Sequence, residues 1–344
     1  MKVLIVRLSA FGDIIHCLPA LDDLLARPEV DEVHWLVDQR YRFVTDVLPK
    51  QVQVHAVSLK GDHPIRSAWK VTRELRAIGF DAIFDLQGLM KSALLSRLCG
   101  SPVFGFDNNF LREKPASLLI RNVSFHSDER HVVQYYRRIA AAPFTGASAV
   151  EPIPYAPPAI HIEESRCVEE SGLLSRLGLE ENGYVILHAA GGWETKQLPE
   201  KTWLAVAEGL KARNIVPLFS WGNESEKVQA QSYASRSNGF ALPKRLNMSQ
   251  LSTLIRHARA AVGADTGLLH LTAALGKPTI TFWGPSASWR SAPLECAENE
   301  LDKRLHWHIE SNPACGPCFK RKCDNFICMD AIQASRILDA IDTI

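Results

Sequence analysis

A chain of 344 residues with 46% hydrophobic, 22% charged and 8% aromatic residues has the make-up of a soluble globular protein and the length for two cores of roughly 150 residues each. Its formal net charge of +1 excludes a polycation built for nucleic acid, and no apolar run approaches the roughly 18 residues of a membrane span. The start, MKVLIVRLSAFGD, is broken at Arg7 and lacks a small-residue cleavage site, so the eight cysteines are expected as reduced thiols in a cytoplasmic protein.

In chain order, KVLIV predicts a buried strand and DIIHCLPALDDLLA a helix with Ile14, Leu18, Leu21 and Leu25 along one face. EVHWLVD and VQVHAVSL are further strands, SAWKVTRELRAIGF is an amphipathic helix, and DAIFDLQG is another strand. Strands alternating with helices imply a parallel sheet covered on both faces. Residues 142–159, rich in Pro, Ala and Ser and without periodicity, mark a join. The second half restarts the pattern with GYVILHAAGG, a helix from Pro199, the strand IVPLFSWG, the helix MSQLSTLIRHA, then AAVGADTGLLHLTAALG and PTITFWGPS. The expected organisation is an α/β N-terminal domain over 1–150, a linker over 151–170, an α/β C-terminal domain over 171–330, and a closing helix over 331–344 that packs back on the N-terminal domain. A ligand cleft is expected between the domains, at the carboxyl ends of the strands.

Three stretches point to chemistry. In GADTGLLHLTAALGKP, Asp265, Thr266 and Gly267 form a turn that opens a helix, where backbone N–H groups and a hydroxyl suit diphosphate oxygens. His270 lies one turn further on; the alternative is an Asp cap beside a half-buried histidine. In HAAGGWETKQLP, Lys196 follows a strand in a Gly-containing loop, where an ammonium meets phosphate as a point charge or is simply solvated. Glu226 in SWGNESEK is either a first-turn helix acid or an acceptor for ribose hydroxyls. The third stretch is LSAFGDIIHCLPAL, where Asp13 stands at the first strand-to-helix turn. A carboxylate there competes with a phosphate for the helix N-terminus, so Asp13 either caps its helix or does chemistry other than nucleotide binding.

No G-x-G-x-x-G follows a strand and no G-x-x-x-x-G-K-[ST] occurs, which argues against a Rossmann dehydrogenase and a P-loop NTPase. No D-x-D is present either, so the simplest carboxylate pair for a metal on a diphosphate is missing. The only metal candidate is Cys315, Cys318, Cys323 and Cys328 in CGPCFKRKCDNFIC, whose gaps are tight for a four-thiolate tetrahedron; packing thiols and redox-dependent disulfides are the alternatives. Between Lys60 and Arg138, 13 Lys/Arg face 8 Asp/Glu, a local basic excess that is either a solvated surface or a cradle for an acidic partner.

Together VRLSAFGDIIHCLPAL, DLQGLMKSALL, FLREKPASLL, GADTGLLHLTAAL and WGPS resemble the family 9 glycosyltransferases, the lipopolysaccharide heptosyltransferases, over nearly the whole chain. DLQGLMKSA and REKPAS look most like heptosyltransferase I, and the CGPCFKRKC tail looks more like heptosyltransferase II. The resemblance implies a GT-B fold: two Rossmann-like domains, acceptor on the first and nucleotide sugar on the second. It implies inverting transfer from ADP-heptose to the Kdo/inner-core region, with Asp13 as general base and no cofactor; the alternatives are heptosyltransferase II or another family 9 transferase with a different acceptor or donor, and a non-catalytic nucleotide-sugar-binding protein. On the donor side it implies Lys196, Glu226, Asp265, Thr266, Gly267 and His270; Ala189 and Ala190 replace a hydroxyl-bearing pair, so two donor hydrogen bonds are either lost or supplied by Thr195. Lys91 and Arg112 match acceptor positions, and Arg66, also expected to bind acceptor, belongs with Arg137 and Arg138 to the same basic stretch suited to Kdo carboxylates and lipid A phosphates. Such a substrate implies a monomer working at the cytoplasmic membrane face, without nucleic acid.

Overall fold

The structure is a computed structural model that describes residues 1–145, 151–295 and 304–344. It divides into two compact units, Met1–Arg166 and Cys167–Ile344. Part of the Ala/Pro/Ser-rich join, 146–150, lies outside the described residues.

In the first unit, β1 (Lys2–Val6), α1 (Phe11–His16), α2 (Leu18–Leu25), β2 (Glu32–Asp38) and β3 (Gln53–Val57) lead to α3 (Pro64–Ile78). Then follow β4 (Ala82–Asp85), α4 (Met90–Leu98), β5 (Val103–Phe106), β6 (Arg121–Val123) and α5 (Val132–Thr145). The six strands are all parallel, in the order β3-β2-β1-β4-β5-β6. The single helix predicted over 13–26 is divided at Cys17, because Pro19 in the first turn of α2 has no N–H for a continuous ladder. On one face of the sheet Leu4, Val6, Leu36 and Ile83 are fully buried, with Leu95 of α4 and Ala68, Val71 and Ile78 of α3 packed against them.

The second unit holds α6 (Leu173–Leu177), β7 (Tyr184–His188), α7 (Glu200–Lys211), β8 (Val216–Phe219), α8 (Glu224–Ser237), β9 (Phe240–Ala241) and α9 (Met248–Arg256). It continues with β10 (Ala260–Ala264), α10 (Gly267–Ala274), β11 (Thr279–Trp283), α11 (Ser288–Ser291), β12 (His306–Glu310), α12 (Ile327–Asp330) and α13 (Ala334–Asp342). Its sheet runs β12-β11-β10-β7-β8-β9, again all parallel. Counted within its own unit this is the same order as the first sheet, the 3-2-1-4-5-6 arrangement of dinucleotide-binding folds.

Two expectations change. The stretch read as a linker is packed along the first unit up to Arg166. The Ile153 N–H donates to Glu129 Oε1 at 2.8 Å, and the Arg166 guanidinium donates to the carbonyls of Lys50, at 3.2 Å, and Val52. The closing helix α13 packs on α7, β11 and β12. Its apolar stripe Ile337, Ala340 and Ile341 is buried there, within the second unit.

The sheets also fix where chain must be bare. A Cβ on Gly263, in β10, would lie 2.6 Å from Leu269 Cδ2 and 3.2 Å from the His188 carbonyl on the neighbouring strand. Gly263→Ala is therefore expected to lower the unfolding free energy by about 1–3 kcal/mol through overpacking, read as a lower urea midpoint at unchanged slope.

Candidate functional site

Strand order reverses between β1 and β4 in the first sheet and between β7 and β10 in the second. Connections there leave in opposite directions and open a crevice at the carboxyl ends of the strands. The loops after these four strands carry Asp13, Gln87, Lys196 and Asp265.

In the first unit, Asp13 lies in the first turn of α1, and its Oδ2 accepts the Ala10 N–H at 3.1 Å. The same oxygen is 2.7 Å from Arg7 Nη2; the Arg7 side chain is 7% exposed and that of Asp13 41%. Arg7 also donates to the Leu86 carbonyl and lies 5.3 Å from the centre of the Tyr136 ring. Burial disfavours the Arg7 cation, but its neighbours, Asp13 foremost with Tyr136 and Cys17, together outweigh it and the guanidinium is held more firmly protonated than usual. A buried charge is tolerable only with such a partner. The loop is pinned from the next strand: Leu8 N–H donates to Gln87 Oε1 at 2.8 Å, and Gln87 Nε2 donates to Ser9 Oγ at 3.0 Å. Asp85 holds that turn in place by accepting from the Gln87 and Gly88 N–H groups and from Ser92 Oγ. Burial pushes its carboxyl up to about 6.

The acceptor-side basic residues divide. Arg66 is exposed at the start of α3 and Arg112 is exposed ahead of the 3₁₀ turn Lys114–Leu118. Lys91, exposed in the first turn of α4, is near enough to Asp38 to help lower its carboxyl. Arg137 and Arg138 depart from the expectation: neither is open to a substrate anion. Arg137 is bidentate to Asp23 at 2.7 and 2.9 Å, and Arg138 is buried against Glu129 and the Glu151 carbonyl.

In the second unit, Asp265, Lys196 and His270 form one network. Lys196 Nζ is 2.6 Å from Asp265 Oδ2 and donates to the Asp265 carbonyl at 3.2 Å, while His270 Nε2 is 2.9 Å from Oδ1. Burial would raise the Asp265 carboxyl, but the Lys196 charge and the His270 hydrogen bond overcome it and hold the carboxyl well below the usual carboxylate range. An ammonium has three donors, so Lys196 keeps one N–H for a further acceptor. Thr266 is the N-cap residue of α10, yet no side chain caps that helix, and Thr266 Oγ1 is buried without a hydrogen-bond partner. An uncapped N-terminus, an orphaned hydroxyl and a lysine with a spare donor make a receiver for phosphate oxygens. Gly267 is the first residue of that helix.

Glu226 Oε2 accepts the Gly222 N–H at 2.7 Å, inside the first turn of α8 that Asn223 caps. His188, hydrogen-bonded through Nδ1 to Ser220 Oγ at 2.9 Å, is pushed down to about 4 by burial against the pull of the Glu226 charge. Thr195 is not a substitute donor: its hydroxyl is spent on the Lys320 carbonyl at 2.7 Å. Cys315, Cys318, Cys323 and Cys328 are free thiols, and among the described residues no group of three or more metal-ligating side chains is placed to hold an ion.

Two contributors escaped sequence reasoning. Arg7 was visible only as a charge breaking an apolar strand, which is itself the signal: a buried cation needs a buried or half-buried anion. Trp193 stacks between Lys196 Nζ, 4.5 Å from its ring centre, and the Arg321 guanidinium at 5.4 Å. That brings the basic segment between the cysteines to the Lys196 loop.

Two predictions follow from these charges. Asp265→Asn strips Lys196 of its counter-charge and is expected to cost about 3–5 kcal/mol of stability; adding Lys196→Met recovers part of it in a double-mutant cycle measured by urea unfolding. The folded chain keeps His188 neutral down to about pH 4, whereas an unfolded histidine takes its proton near 6.5. The unfolded state thus binds more protons between those values, and stability falls as pH drops through that window. His188→Gln should flatten that part of the pH–stability curve.

A family model, glycosyltransferase family 9 (heptosyltransferase), matches residues 68–326. The chain is 28% identical over 334 residues to lipopolysaccharide heptosyltransferase 1 of Pseudomonas aeruginosa, covering 94% of this chain and 87% of that protein. It is 30% identical over 298 residues to lipopolysaccharide heptosyltransferase 1 of Escherichia coli K12, covering 83% and 88%. The solved structure of E. coli heptosyltransferase WaaC with ADP superposes with a TM-score of 0.75 over 99% of both chains at 24% identity, which carries the GT-B fold. The chain belongs to glycosyltransferase family 9, the heptosyltransferases, and is a glycosyltransferase.

Proposed function

We propose that this enzyme is an inverting heptosyltransferase that moves heptose from ADP-heptose to the Kdo/inner-core region of lipopolysaccharide. The relatives named lipopolysaccharide heptosyltransferase 1 support the reaction. The observation that carries the donor side is the orphaned Thr266 hydroxyl at the uncapped start of α10, beside Lys196.

In this reading Asp13 takes the proton of an acceptor hydroxyl as its oxygen attacks the anomeric carbon. The bond from that carbon to the β-phosphate oxygen of ADP breaks, and its electron pair leaves with ADP; one displacement inverts the centre. Arg7 holds the Asp13 carboxylate in a fixed direction, so little reorientation is needed. Charge developing on the departing diphosphate is met by the spare Lys196 donor, the Thr266 hydroxyl and the N-terminal end of α10 from Gly267. This supplies the role a metal would otherwise take, so transfer is expected in chelator. Asp265 fixes Lys196, His270 fixes Asp265, and Glu226 receives the ribose hydroxyls. Arg66, Lys91 and Arg112 would meet Kdo carboxylate and lipid A phosphate oxygens. With such a substrate, a monomer associating peripherally with the cytoplasmic membrane face is the matching state; among the described residues no helix is long and apolar enough to cross a membrane.

The cysteine tail favours one alternative, transfer to an already heptosylated core as in heptosyltransferase II. Asp13→Asn separates catalysis from mere nucleotide-sugar binding. Transfer is expected to drop by about 10²–10⁴ in kcat, with ADP affinity by calorimetry unchanged. Equal rates in the two proteins would overturn the base assignment, and ADP binding without turnover in wild type would favour a binding protein.

A further inference from the structure

Part of the first unit's surface is apolar where the core has no use for it. On α3 the residues facing the sheet are Ala68, Val71, Leu75 and Ile78. The opposite stripe is Ile65, Trp69, Arg73 and Arg76, spaced so that all four share one face. Ile65 is 84% and Trp69 61% exposed, and the Arg73 guanidinium lies 5.3 Å from the Trp69 ring centre.

Two neighbours extend the face. α4 packs beside α3 and turns Leu94, Arg97 and Leu98 outward. Arg76 reaches its end: a Cβ on Gly100 would be 3.2 Å from Arg76 Nε. The 3₁₀ turn Lys114–Leu118 is tied to the start of α4 by Glu113, which accepts the Met90 N–H at 2.6 Å, and it carries Leu118 at 86% exposure.

The charge on these segments has one sign. Residues 64–78, 90–98 and 112–121 hold nine Lys/Arg and two Asp/Glu. One of the two acids, Glu74, lies 4.0 Å from Lys70, and the other is the Glu113 already engaged with backbone. Large apolar side chains standing apart, with guanidinium groups between them, fit no single protein knob. They match an interface in which indole and aliphatic groups enter the acyl boundary while cations stay at phosphate depth. A lone tryptophan gives nucleic acid no row of stacking platforms.

We infer that the outer face of α3, α4 and the Lys114–Leu118 turn is a docking surface for an anionic phospholipid bilayer. The inference deepens the membrane association proposed above and rests on that reading for the choice of a bilayer, but its test needs neither donor nor acceptor. The full chain is sedimented with vesicles of phosphatidylcholine alone or mixed with phosphatidylglycerol, at low and high salt. Wild type should partition onto the mixed vesicles, less so at high salt. Trp69→Ala with Arg73→Glu should lower the partition coefficient about tenfold or more. Val228→Ser, on exposed α8 surface of the second unit, should change nothing, and thermal melts report whether each variant stays folded. Wild type that ignores phosphatidylglycerol, or a double variant that binds as wild type does, overturns the inference. Transfer to a de-acylated, soluble acceptor should be unchanged in the double variant. Vesicle binding without any transfer would contradict the functional reading and leave the surface standing.

Discussion

Both sites depend on one topological constraint, the reversal of strand order between β1 and β4 and between β7 and β10. A parallel sheet delivers every loop after a strand to the same edge, and only at the reversal do adjacent loops diverge and leave room for a ligand. The pairing of Gly263 with His188 sets that spacing in the second unit, and a missing side chain at Gly263 lets the strands and α10 close up. The pairing of Val6 with Asp85 does the same in the first, where Gln87 from one loop braces Ser9 of the other.

On this common frame the two units use an aspartate in opposite ways. In the first, the carboxylate itself occupies the helix start, paired with the buried Arg7 guanidinium and 41% exposed. Such a group is fixed in direction and still reachable from solvent. In the second, the carboxylate is turned away from the helix start and engaged by Lys196 and His270. The start of α10 is thereby left without a side-chain cap, with Lys196 beside it. Each arrangement would be a poor version of the other: a free carboxylate beside Thr266 would repel a diphosphate, and an uncapped helix beside Arg7 would offer no base.

Much of this was legible in sequence. The long apolar strands and the motifs around Asp13 and Asp265 are local patterns, and local patterns survive without tertiary information. Short strands did not: VFGF and HWHIE are too brief or too polar for a period-two signal, and they became β5 and β12 only through their neighbours in the sheet. Charges misled for the same reason. Arg137 and Arg138 read as free cations because Asp23 lies 114 residues away from Arg137, and Glu129 meets Arg138 only once α5 is docked. Arg7 was opaque until Asp13 lay against it. The Pro-rich join looked like open linker, yet backbone groups beyond 150 are paired with Glu129 and Arg138.

The proposed reaction joins acceptor and donor chemistry in heptose transfer to Kdo. The most direct measurement is ADP release from ADP-heptose by the wild-type enzyme in chelator, comparing no acceptor, Kdo-lipid A and an already heptosylated core. Release that requires Kdo-lipid A, with product of inverted anomeric configuration, is the predicted result. Release only with the heptosylated core, or none with either acceptor while ADP still binds, would contradict it.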